Sequence, residues 1–551
     1  MAGMSYTPLT APDPDQKGWP KGIKYIVGNE GAERFSFYGM KAILFIHLFA
    51  LIQVTGLADK VADSKATAGV HLFVAGVYAF PILGALLADK LLGKYNTILW
   101  LSIVYCLGHL FLALFESSLE GTFAGLAFIA IGAGGIKPCV SAHVGDQFGK
   151  SNWHLINKVF QLFYFMINFG SLLAFFAIPY LNNRFGTGVA FGVPGILMAL
   201  ATFLFWLGRK HFVHVPASPG GKLGFLDVLV GFFLFVPLII LLFADGVGMT
   251  ILWQKLAVAG GAIVASLLVF NYRQRIEEDD GFLPVLLYAI KVRLGFQEVP
   301  KAIVMTDADG ADRKEDSTIS NHWLFGPAAT KFGAEAAEGP LAVFRIISVF
   351  FLVSVFWMLF DQQGSTWVIQ AKLMDRDLGF WTVLPSQMGG VNAAMVMILI
   401  PLTLWFFSAL LKRGITVSPL LRMTIGMAMA GLSFVVIALI QAKVESSAPG
   451  TVSVAWQFIP YGIITLSEVL VSVTGLEFAY TQAPKKMKSI VMGFWLLCVS
   501  FGNFFVAKLA HTWEGWALSK SFWVFAGLMF VAAVLFGIRA SFYKYKEYSQ
   551  G

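Results

Sequence analysis

Cysteine and charge are what this sequence has little of. Three cysteines stand among 551 residues, Cys106, Cys139 and Cys498, each in or beside an apolar run. They form no spaced pairs, so neither a disulfide framework nor a thiolate metal site is indicated. Asp, Glu, Lys and Arg make up only 13% of residues, about half of what an ordinary soluble domain carries. No GxxxxGK followed by Ser or Thr is present, which counts against an ATP-driven pump. The polar start, MAGMSYTPLTAPDPDQKGWPK, lacks a basic-then-apolar leader and is expected to be a short cytoplasmic tail. A net charge of +8 is not a nucleic-acid signal here, because the basic residues sit in short loops between apolar runs.

What is abundant is apolar. Hydrophobic residues make up 57% of the chain, with 52 Phe and 55 Gly, and the mean hydropathy is +0.72. Such a composition belongs to an all-α polytopic membrane protein. Spans of about 20 apolar residues are expected near 23–53, 69–88, 96–116, 122–142, 155–181 and 189–208, then 223–243 and 250–272. A polar stretch, 273–340, is broken by the short apolar run FLPVLLYAI, and six more spans follow between 341 and 543. The expected organisation is a tail (1–22), a six-helix bundle (23–208), an inserted helix pair (209–272), a cytoplasmic linker (273–340), a second six-helix bundle (341–543) and a tail (544–551). Lys and Arg concentrate in alternate loops, which places both termini in the cytoplasm and favours an even number of spans, fourteen. Two six-helix halves with the basic turn GALLADKLLGKYNT after the second span suggest the major facilitator fold. In it, substrate sites lie near mid-membrane between the halves.

Within the first span, NEGAERFSFYG (29–39) puts Glu30, Glu33 and Arg34 where lipid is expected. Each such charge costs about 2.5–3.5 kcal/mol near the bilayer centre. On an ideal helix at about 100° per residue, Glu33 falls near −60° from Glu30, Arg34 near +40°, Phe37 near −20°, Tyr38 near +80° and Lys41 near +20°. The costly groups share one face, so that face lines a cavity or meets partners. One Glu–Arg pair would suffice to pin helices together, and this stripe holds more.

NEGAERFSFYG resembles the ExxERFxYYG motif of the proton-dependent oligopeptide transporter (POT) family, with Phe37 where the first Tyr usually stands. GALLADKLLGKYNTI, GAGGIKPCVSAHVGDQF, FYFMINFGSL, FWMLFDQQGSTW and SEVLVSVTGLEFAYTQAP resemble further signatures of that family, in order. The extra helix pair resembles its bacterial members. The resemblance implies a proton-coupled symporter that imports di- and tripeptides by alternating access across a bacterial inner membrane. It implies no enzyme activity and no cofactor, only peptides, protons and lipid as partners; the oligomeric state stays open, with a monomer sufficient. Nitrate, a peptide-like drug or another metabolite as cargo, or a sensor with vestigial transport, are the alternatives.

The resemblance assigns roles residue by residue. Glu30, Glu33 and Arg34 are implied in proton coupling, together with His71 and Asp361. Arg34 and Lys137 are implied to attract the peptide carboxylate, and Glu468 its amino group, with Asn168 and Asn392 beside them. Tyr38, Tyr78, Trp357, Phe360 and Trp495 are expected to wall side-chain pockets. Lys137 and Glu468 are implied to form a salt bridge across the halves that closes the cytoplasmic gate; both fall in the inner half by helical rise. His71 is expected to open the second span near the outer surface, within reach of Asp361. His47, His109 and His143 are expected to make helix–helix hydrogen bonds. The linker lies beside the inner gate, where it could obstruct the exit.

Overall fold

The computed structural model describes residues 9–245, 248–298, 319–484 and 487–546. Fourteen helices among the described residues are long and apolar enough to cross a membrane. Six come first: α1 (Ile23–Gln53), α2 (Asp59–Leu92), α3 (Lys94–Leu114), α4 (Leu119–Asp146), α5 (Ile156–Phe185) and α6 (Thr187–Leu207). The inserted pair is α7 (Gly221–Phe243) and α8 (Leu252–Ile276). Two short linker helices follow, α9 (Phe282–Arg293) and α10 (Gly326–Phe332). The last six are α11 (Ala334–Leu373), α12 (Gly389–Lys412), α13 (Pro419–Ser446), α14 (Val454–Gln482), α15 (Lys488–Leu509) and α16 (Leu518–Ser541). This is the major facilitator architecture with an inserted pair.

Two of these helices begin earlier than apolar runs suggest. The α2 helix starts at Asp59 and α11 at Ala334, inside what hydropathy reads as loop and linker. Their first turns, DKVADSK and AEAAEG, are polar enough to fail an apolar window yet contain good helix formers. The tight turns between spans rest on glycine: Gly93 (φ 77°) separates α2 from α3, and Gly186 (φ 87°) separates α5 from α6, a conformation that costs other residues.

Each six-helix half has its own apolar core. One gathers Met40, Phe45, Ile98, Tyr105, Ile129 and Phe191; the other gathers Phe350, Phe356, Trp367, Phe434, Tyr461 and Phe525. Small residues let helices approach closely. A Cβ on Gly170 of α5 would lie 2.5 Å from the Gly31 carbonyl of α1, and one on Gly132 of α4 would lie 2.7 Å from the Tyr105 amide of α3. The halves meet mainly through α2 against α15 and α5 against α12. Over the α2–α15 seam lies α7, whose Phe235 and Leu242 join Ala75, Ala79, Leu497 and Phe504 in one buried cluster. Outside it, α8 exposes Leu252, Trp253, Leu256, Val264 and Leu268, as a lipid-facing helix does.

The described part of the linker packs as a small domain. Val285, Tyr288, Ala289, Phe325 and Ala328 enclose Ala337 at the start of α11, and Lys331 pairs with Glu278. Residues 299–318, the middle of the linker expected beside the exit, lie outside the described residues.

Candidate functional site between the two halves

The first helix carries its charges inward. Arg34 Nε donates to Glu30 Oε1 at 2.7 Å and stands 3.2 Å from Glu33 Oε2. Both glutamates are buried, at 2% and 1% exposure. One guanidinium with its fork of donors serves two carboxylates one turn apart, which offsets part of the cost of desolvating all three. The stripe inferred from helical angles is therefore a compact triad on the cavity side of α1.

Across the cavity, Asn392 of α12 donates to Glu468 Oε2 and to Thr465 Oγ1 of α14, each at 3.0 Å. Beyond Glu468, α14 passes through a π turn at Val469–Val473, a local widening common at functional positions. Between the halves lie two cavities. The smaller, about 60 Å³, is lined by Tyr38 and Lys41 of α1, Phe175 of α5, Phe360 and Asp361 of α11 and Asn392. The larger, about 530 Å³, lies between the inner parts of α5, α12 and α14 and is lined by Gln161, Tyr164, Asn168, Met397, Pro401 and Val473.

The expected Lys137–Glu468 bridge is not formed. Lys137 Nζ is buried without a hydrogen-bond partner among the described residues, while Glu468 accepts from Asn392. Each end is engaged within its own half, Lys137 over the Phe37 and Tyr78 rings and Glu468 at Asn392, and a cavity of about 530 Å³ lies between the inner parts of the halves. At the cytoplasmic ends of α2 and α15, Ser489 Oγ lies 3.4 Å from Asp89 Oδ2, a long bond.

The outer side is joined. Lys41 Nζ donates to Asp361 Oδ1 at 2.6 Å, joining α1 to α11. Asn503 of α15 donates its amide to Asp361 Oδ2 at 2.7 Å and to the Val499 carbonyl at 3.0 Å. Its oxygen lies 2.7 Å from His71 Nδ1, and Ser365 Oγ lies 2.8 Å from His71 Nε2. His71 therefore does not pair directly with Asp361; Asn503 stands between them. Nor does His71 open α2. It follows three turns of helix and is fully buried. Further bonds join the outer halves, Ser64 to the Ala510 carbonyl at 2.9 Å and Gln387 to the Phe176 carbonyl at 3.3 Å. Nearer the middle, Ser500 donates to the Ala75 carbonyl at 2.7 Å.

This network fixes proton positions. The Asn503 amide nitrogen has two acceptors, so its oxygen must face His71, and that oxygen can only accept. His71 thus carries a hydrogen on Nδ1. Its Nε2 accepts from the Ser365 hydroxyl when the ring is neutral. A proton added at Nε2 reverses that bond, and Ser365 can turn toward the Gln362 carbonyl, 3.5 Å away. The site can therefore accept one proton without losing a partner.

The remaining expected residues divide. Tyr38 and Phe360 line the smaller cavity, and Tyr78 lies beneath the Lys137 ammonium at 5.4 Å. Asn168 lines the larger cavity, but its amide donates to the Tyr164 carbonyl of its own helix at 3.0 Å. Trp495 is core rather than pocket wall. It packs edge-on against Phe350 at 4.9 Å and fills the space left by Gly475. Trp357 lies near it at 6.5 Å, its indole nitrogen buried without a partner. Of the other histidines, His47 meets Thr122 and His109 meets the Phe191 carbonyl, both at 3.2 Å. Sequence reasoning missed Lys41, Asn503 and Ser365 as members of the site. Lys41 had a signal, its place on the charged stripe; Asn503 and Ser365 had none.

Two bundles around a charged central cavity, closed on one side, define a helical membrane protein of the major facilitator class. A family model described as the POT family matches residues 95–224 and 284–524, and the chain belongs to that family. It is 32% identical to solute carrier family 15 member 2 of Mus musculus over 79% of this chain, and 31% identical to peptide transporter 3 of Caenorhabditis elegans over 78%. These matches span 52% of each relative's own length, so the chain covers about half of them. A solved structure described as an auto inhibited POT family peptide transporter superposes with a TM-score of 0.75 at 35% identity, covering 97% of this chain and 99% of that one.

Proposed function

We propose that this protein is a proton-coupled symporter that imports di- and tripeptides across a bacterial inner membrane and needs no cofactor. The observation that carries this reading is that buried groups of opposite charge stand on the two halves: Arg34, with Glu30 and Glu33, and Lys137 on the first, and Glu468 with Asn392, which lines the smaller cavity, on the second. A zwitterion needs such a pair of walls, because each charged end is costly to strip of water without a partner. Relatives described as peptide transporters agree with it.

In this reading the bundles at 23–208 and 341–543 rock against each other, with 209–272 and 273–340 inserted between them. Arg34 and Lys137 take the peptide carboxylate; Glu468, Asn392 and Asn168 take the amino end and backbone. Tyr38, Tyr78, Phe360 and Trp357 wall the side-chain pockets, with Trp495 behind Trp357. Carboxylate binding draws Lys137 from Glu468 and so loosens the cytoplasmic gate. Protons ride on Glu30 and Glu33, whose release returns Arg34 to its glutamates, and on His71, coupled to Asp361 through Asn503.

Uptake of labelled dialanine into proteoliposomes under an inward proton gradient tests this. Gradient-dependent uptake lost in Glu33→Gln is expected. Uptake that is absent, or indifferent to the gradient, overturns it. Dialanine binding lost in both Lys137→Ala and Glu468→Ala supports a zwitterion; loss in Lys137→Ala alone points to an anion.

A further inference from the structure

Among the described residues, Lys137 is the cation between the halves that the ion pairs around it leave out. Arg34 takes Glu30 and Glu33, Lys41 takes Asp361, and Glu468 is bonded to Asn392. The Lys137 ammonium is buried with no hydrogen bond to any described residue, a costly state for a charge unless something replaces water. What it meets is aromatic: its nitrogen lies 4.5 Å from the centre of the Phe37 ring and 5.4 Å from that of Tyr78.

We propose that Phe37 is the resting seat of the Lys137 ammonium, holding it with Tyr78 while the cytoplasmic side is open and releasing it when an anion replaces the ring. Phe37 is suited to this by position and by rigidity. It is 1% exposed, with Tyr38 edge-on at 5.4 Å and Phe73 at 6.2 Å, so its face cannot turn away. The second ring comes from the close approach of α4 to α2. A Cβ on Gly134 would lie 2.6 Å from the Val77 carbonyl, and that proximity brings Tyr78 under Lys137. A desolvated cation over an aromatic face is held much more firmly than an exposed one, yet still less firmly than by a carboxylate. Such a seat stabilises the ammonium without binding it against the substrate or Glu468. Phe37 also sits where the family motif usually has Tyr.

The seat acts only in the state where Lys137 is unpaired, so it favours the open cytoplasmic side. This rests on the proposed gate bridge for the competing state, but not on the cargo, and the test needs no peptide. Spin labels at Trp153→Cys and Leu411→Cys, both exposed cytoplasmic positions on opposite halves, report open and closed populations in detergent or nanodiscs. Phe37→Leu is expected to lower the open-to-closed ratio by roughly three- to thirtyfold, while Phe37→Tyr, which keeps a π face, stays near the parent. In a Lys137→Met background, Phe37→Leu is expected to change nothing. An equal shift in that background, or none with Lys137 present, overturns the proposal. Should Phe37→Leu fail to fold, stepwise fluorination of the ring at position 37 keeps its shape and drains its π face. A graded shift supports the seat, and a flat series overturns it. Glu468→Gln, which removes the bridge and leaves the seat, is expected to move the ratio the other way. Its failure to do so while Phe37→Leu still acts counts against the bridge and supports a seat that works without it.

Discussion

The outer and inner halves of this molecule are built from the same fourteen helices and held by different means. Outside, an ion pair between Lys41 and Asp361, the Asn503–His71–Ser365 chain and two side chain-to-carbonyl bonds join the halves. Inside, the halves diverge around a cavity of about 530 Å³, and a bond of 3.4 Å spans Asp89 and Ser489. Specific polar contacts in a low-dielectric setting close one face, while the groups able to close the other face are engaged within their own halves or rest on aromatic rings. The proposed alternating access needs that contrast to be reversible, and in that reading the strength of the outer lock sets how far the equilibrium leans.

Breaking the lock at its centre should have the largest effect. Lys41→Met leaves Asp361 a buried carboxylate with one partner fewer, worth about 3 kcal/mol or a hundredfold in the outward-closed population. The rate at which Ala42→Cys, on the wall of the smaller cavity, reacts with a membrane-impermeant maleimide from outside should rise accordingly. That measurement uses a background in which the native cysteines are replaced. Asn503→Leu should come next. It strands His71 Nδ1 and one Asp361 oxygen, a cost of about 1–3 kcal/mol, and the same maleimide assay should show roughly a tenfold increase. Ser489→Ala, on the open side, should alter that rate by less than about twofold, since a bond of 3.4 Å contributes little.

The smallest effect belongs to the strap over the seam. Asp245, after α7, pairs with Lys255 of α8 and with Lys508 of α15, tying the inserted pair to the second half. Those two ammonium groups hold its carboxyl down at about 2. Because the folded value lies below the usual 3.8, the clasp is intact at neutral pH and is lost only as pH falls from about 4 through 2. Asp245 is half exposed, so Asp245→Asn, or 1 M salt, should raise outer accessibility by no more than about threefold.

The sequence made the spans, the two-bundle layout and the charged stripe of α1 readable, because bilayer thickness and helical period act on residues near one another. What lay beyond it were pairings between distant parts of the chain. Lys41 and Asp361 are 320 positions apart and His71 and Asn503 are 432 apart, and no period links them. The depth of His71 was misread because the polar first turns of α2 do not register as membrane helix. Phe37, the one departure from the family motif, gained its meaning only from the lysine lying over it, which helical angles within α1 cannot reveal. Trp495 read as a pocket wall because an aromatic in a cavity-rich bundle looks the same in sequence whether it faces space or fills the gap beside Gly475.

One coupling is central: the outer lock and the inner opening are two sides of a single motion. Paired distances measure it directly. One label pair spans the outer face at Val54→Cys and Phe380→Cys, the other spans the inner face at Trp153→Cys and Leu411→Cys, all at exposed positions. With the lock intact and no peptide, the outer distance should be short and narrowly distributed and the inner one long. Adding Lys41→Met should lengthen the outer distance and shorten the inner one in the same fraction of molecules. An outer distance that lengthens while the inner one stays unchanged would contradict the account.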